Sequence, residues 1–294
     1  MLQGQLMTDA DFLDTLRSQH DYTTLKRGYK VSVFVRFLMR EIPLAVQRGM
    51  LGMQLVQQQP SLSVDAQLHF YYALALCASA PTLAHTNTHS VVVDPLRHLQ
   101  RYKTATQKNN LAPLKPPSAV CDAAFVYNSY GAQNGPYDPA AVHLVLARVD
   151  AILDLLQEWS VHNRAVFYHR MLLVEAERQR VVLQSHMGDA AMFASASVIY
   201  LSAMTAAKQS GMLPDEAVTA ELYARFLMAH GWCPTFGPAL LMLKESYIAY
   251  GRWGATAKLR QLEAEFPCLL TAVIGAGSGI LEPHRGARRN RPWC

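Results

Sequence analysis

Apolar positions recur along most of this chain every three or four residues, the spacing that lines one face of an α-helix, and the strict alternation of a half-buried strand is nearly absent. The pattern predicts a short capped helix over 9–19, a longer one over 24–41, and a third from Pro43 to about residue 58, proline being well suited to a first helical turn. A fourth is capped by Ser63 or Asp65, carries Leu68, Tyr71, Tyr72, Leu74 and Ala75, and stops before Pro81. Helical spacing returns at Pro139 or Ala140 and continues to His162, with Val145, Val149, Ile152, Leu155, Leu156 and Trp159 on one side. Further helices follow over 164–184 and 189–209, the latter ended by Gly211. Pro214-Asp215-Glu216 opens another, with its acids in the first turn where the helix dipole favours them, and that helix closes at Gly231. Two more cover 234–253 and 255–265. Successive helices joined by short turns, each with an apolar face it cannot bury alone, describe an all-α fold, an antiparallel helical-hairpin array.

Residues 82–138 interrupt this rhythm with Pro95, Pro113, Pro116, Pro117 and Pro136 among Asn, Ser and Gly, a Pro-rich irregular connection in which 94–106 and 123–130 are the two pieces that could be ordered. The chain therefore divides into N-terminal helices (1–81), this connection (82–138), a C-terminal helical array (139–267) and a basic tail expected to be disordered (268–294). Residues 190–207 hold no charge, but their Ala and Ser content fits a helix buried on both sides better than a membrane span of about twenty strongly apolar residues.

Composition changes the picture only modestly. With 294 residues, 51% of them hydrophobic and 17% charged, the chain can bury a core, and its low charge points to apolar surface covered by partners or by missing segments. The net charge of +5 is crowded into Lys26, Arg27, Lys30 and Arg36 near the front and Arg285, Arg288, Arg289 and Arg291 at the end. The first group reads as the solvated face of a helix, and neither has the interleaved aromatics of a nucleic-acid surface. Cys77, Cys121, Cys233, Cys268 and Cys294 show no C-x-x-C spacing and no secretory leader precedes them, so free thiols in a cytoplasmic protein are expected.

No catalytic constellation emerges from the residues. There is no G-x-x-x-x-G-K-[ST] phosphate loop, no kinase catalytic loop or D-F-G triplet, and no phospho-acceptor histidine in its usual setting. His85 and His89 have a metal-compatible i, i+4 spacing but lack a third ligand, and Glu175, Glu177, Arg178 and Arg180 read as a charged helix face. No catalytic, cofactor-binding or metal residue is therefore assigned, and no cofactor is expected. The alternative is a small α-helical enzyme built on His162, His169 or His230, which needs two of them to meet a carboxylate in a pocket.

Three segments carry a family likeness: Phe167-Tyr168-His169-Arg170-Met171-Leu172-Leu173-Val174-Glu175-Ala176-Glu177, Ala220-Glu221-Leu222-Tyr223-Ala224-Arg225-Phe226-Leu227, and Tyr250-Gly251-Arg252-Trp253-Gly254-Ala255-Thr256-Ala257-Lys258-Leu259-Arg260-Gln261-Leu262. Together with Leu68-His69-Phe70-Tyr71-Tyr72 they resemble the TPR-like helical region of large multidomain signalling kinases, which lies between an AAA-type ATPase and GAF and histidine-kinase modules. The resemblance covers roughly 60–80 and 140–267, with a weaker extension back to about residue 10. It implies a TPR-like α-solenoid, a non-catalytic scaffold for protein or interdomain contacts, and a fragment of a two-component phosphorelay machine whose partners are proteins or neighbouring modules. The closing motif, with Tyr250, Arg252, Trp253, Gly254, Ala255, Lys258 and Leu262 as its signature, reads as a packing joint: Trp253 packs where one helix ends, Gly254 turns the chain, Ala255 permits close approach, and Lys258 and Arg260 begin the exposed side of the next helix. Beyond Pro267, Gly275-Ala276-Gly277-Ser278-Gly279 lacks the strand and helix of a phosphate loop, and truncation of a longer protein is expected there.

Overall fold

The computed structural model describes residues 9–56, 62–83, 139–184, 189–232, 237–267 and 269. Among them the regular structure is helical throughout and no strand occurs. In chain order the helices are α1 (Asp9–Ser18), α2 (Tyr22–Leu38), α3 (Ile42–Val56), α4 (Leu62–Leu83), α5 (Pro139–His162), α6 (Arg164–Gln184), α7 (Ala190–Gln209), α8 (Leu213–Ala229), α9 (Gly237–Trp253) and α10 (Thr256–Glu265). Local chemistry sets several of the boundaries. The Asp21 carboxylate accepts the Thr24 amide at 3.0 Å to start α2, and Asp189 accepts the amides of Ala191 and Met192 at 2.9 and 3.0 Å to start α7, each satisfying donors that the first turn leaves orphaned.

The contacts group into two units that divide between Asp215 and Glu216. In the first, each helix packs on the next, from α1 against α2 through to α6 against α7, and α4 also touches α2 and α6 across one intervening helix. Along α4, residues 65–80 are buried apart from the partly exposed Gln67 and Ala78, because α2, α3, α5 and α6 all lie against it. Leu13, Leu16, Leu25 and Tyr29 form a core at the α1 and α2 end. At the α3 and α4 contact Gly49 gives up a side chain to make room for Tyr72, since a Cβ there would stand 2.2 Å from the ring's Cδ2.

In the second unit α9 and α10 pack together, and the Ser246 hydroxyl of α9 donates to the Ala217 carbonyl at 3.0 Å. Phe226, Leu243, Tyr250 and Leu262 are fully buried there.

Three local expectations are corrected. The fourth helix starts at Leu62, so neither Ser63 nor Asp65 caps it; Asp65 stands in its first turn and is fully buried. The same helix runs through Pro81 to Leu83. Proline has no amide to give the carbonyl four residues back. That carbonyl, Cys77 O, instead accepts the Arg180 guanidinium at 2.8 Å. Finally, α7 is not buried on both sides: Val198 is 61% and Leu201 42% exposed. The expected connection, beyond its first residues Thr82 and Leu83, and the expected tail, apart from Leu269, lie outside the described residues, as do the 94–106 and 123–130 elements, His85 and His89, and the Gly275–Gly279 run.

Candidate functional site

Among the described residues, four buried joints each set a charged side chain of one helix against a side chain of another. In the first unit Lys26 of α2 meets Asp65 of α4 at 2.9 Å with both side chains almost wholly enclosed. This corrects the reading of Lys26 as part of a solvated basic face. One turn on, His69 donates from Nδ1 to the Asp65 carbonyl at 2.6 Å, and its ring stands edge-on to Trp159 of α5 at 5.5 Å. Burial pushes the His69 imidazole below its ordinary value and outweighs the opposing pull of that hydrogen bond, so the ring is neutral.

A second joint is built on Asp215 at the start of α8. Its carboxylate accepts His169 Nε2 and Arg170 Nε of α6, both at 2.8 Å, and the Tyr71 hydroxyl of α4 at 3.3 Å. Burial works to raise the Asp215 carboxyl, but the His169 hydrogen bond and the Arg170 guanidinium overcome it and hold the acid below its ordinary value. The third joint places Glu177 of α6 under the Tyr200 hydroxyl of α7 at 2.6 Å and the Arg180 guanidinium at 2.8 Å. Glu177 is 2% exposed, which corrects its assignment to a charged helix face, whereas Glu175 two residues away is only partly buried.

The fourth joint lies in the second unit and absorbs the closing motif. Glu221 of α8 accepts the Tyr250 hydroxyl of α9 at 2.8 Å and the Lys258 ammonium of α10 at 2.9 Å, and Arg225 approaches at 2.9 Å. Arg225 also makes a two-pronged pair with Glu265, 2.6 Å on each prong. Burial raises the Glu221 carboxyl, and the charges of Lys258 and Arg225 together with the hydrogen bonds from Lys258 and Tyr250 more than reverse that. Lys258 is 2% exposed, so its expected place on the outer side of the last helix is corrected: a neighbouring buried carboxylate draws the ammonium inward. Of the other signature residues, Tyr250 and Leu262 are fully buried, Trp253 and Ala255 are half-buried, Arg252 is exposed, and Gly254 turns the chain with φ +85°.

These joints can hold helices in register. Each carboxylate is already occupied by cations or hydroxyls. Of the three suspect histidines, His162 is exposed, His230 meets the Phe226 carbonyl at 2.8 Å, and His169 meets the Asp215 carboxylate in a packed interior. Among the described residues no group of three or more His, Cys, Asp or Glu could hold a metal.

One open feature among the described residues lies on α7. A shallow cleft of about 380 Å³ between α6 and α7 is lined by Tyr168, Val198, Leu201, Ser202 and Thr205. The Arg164 guanidinium lies 3.6 Å from the centre of the Tyr168 ring, a close cation–π contact. The cleft's lining on α7 continues along the helix to Ser195 and Ala194, so that the exposed face carries Ala194, Ser195, Val198, Leu201, Ser202 and Thr205, an apolar and small-residue surface without a charge. This helix is long and apolar enough to cross a membrane, and a third of its apolar stretch is buried by the rest of the protein.

The joint residues were hard to see in the sequence because an acid in a helix reads as solvated unless the residues around it are apolar. That signal exists at Glu221, which sits among Val218, Leu222, Tyr223 and Phe226, and at Asp65, which is followed by an almost unbroken apolar run. No protein-family model matches the chain, and no curated protein or solved structure matches it either.

Proposed function

We propose that the chain is a non-catalytic, TPR-like helical scaffold for protein–protein or interdomain contacts, working in the cytoplasm as the segment between ATPase and sensor-kinase modules of a signalling kinase. The observation that carries this reading is the packing order: α2, α4 and α6 touch one another in succession while α3, α5 and α7 pack between or beside them. That is how stacked helical hairpins arrange a first and a second layer. The resemblance of the three helical segments and the closing motif to the TPR-like region of such kinases supports the same reading. The occupied, enclosed carboxylates support a non-catalytic role, because a general acid or base has to reach the proton it transfers.

The test is co-elution of the purified chain with AAA-type ATPase and GAF–histidine-kinase modules encoded by the same genome. A stable complex is expected, with no ATP turnover by the chain alone. Turnover of any substrate that vanishes in Asp215→Asn or His169→Gln while helicity is retained would replace the scaffold reading with a catalytic one.

A further inference from the structure

We draw no further inference here: the strongest candidate, the uncharged face of α7 around Val198 and Leu201 together with the cleft it lines beside Tyr168, is an apolar surface and nothing in the structure shows what covers it.

Discussion

At the scale of single residues the most consequential group is Glu221 with its ring of donors. Its carboxyl is held below the ordinary value of 4.5, as is that of Asp215 below 3.8. A carboxyl whose folded value is depressed stabilises the fold fully above its unfolded value and loses that contribution as pH falls through the folded value. Chemical denaturation midpoints should therefore hold steady from neutral pH down to about 5 and decline as the solution is acidified below the ordinary carboxylate range, and Glu221→Gln should flatten part of that decline. Lys258→Met, which removes one partner of an enclosed pair, should cost about 3 kcal/mol in urea unfolding, and a loss below about 0.5 kcal/mol would show that Arg225 and Tyr250 alone satisfy the carboxylate. Much of this was illegible beforehand. Lys258 and Lys26 stand at helical positions where a solvated lysine is the ordinary outcome, and only the partner, thirty-seven and thirty-nine residues away in the sequence, decides otherwise.

Elements were far easier to read than their contacts. The turns at Gly211, Gly231 and Gly254 and the spacing of apolar residues mark the helices to within a few residues, because those signals are local. The continuation of α4 through Pro81 was hidden because its compensation, Arg180 on the Cys77 carbonyl, comes from a helix about a hundred residues later. The exposed side of α7 was hidden for the opposite reason: composition records that a helix is apolar and says nothing of how many neighbours it has. At the joint between α9 and α10 the sequence points to the large ring of Trp253, but that side chain is half-buried and tilted against Tyr250 at 6.1 Å, while Tyr250 is fully enclosed and donates to Glu221. Thermal melts should rank them accordingly, with Trp253→Ala costing about 1 to 2 kcal/mol and Tyr250→Ala about 3 to 5. Equal losses would mean the tryptophan carries the joint.

At the scale of the molecule, the first unit, whose helices touch their nearest and next-nearest neighbours, should lose stability locally. Removing residues 1–20, and with them α1, should speed hydrogen exchange in α2, against which α1 packs, and leave the slow amides of α6 and α7 unchanged. A uniform loss of protection would mean the first unit unfolds as one block. The enclosure of α4 has a further consequence, in time rather than in space. Two of the helices that cover it, α2 and α3, are synthesised before it, but α5 and α6 come after, the last of them ending at Gln184. At about 5 to 20 residues per second the ribosome needs roughly 5 to 20 seconds to make the intervening hundred or so residues. Throughout that interval one of the most apolar helices of the chain is outside the ribosome with half of its cover unmade, so the yield of folded protein depends on what shields the nascent Leu68–Ala80 stretch while it waits.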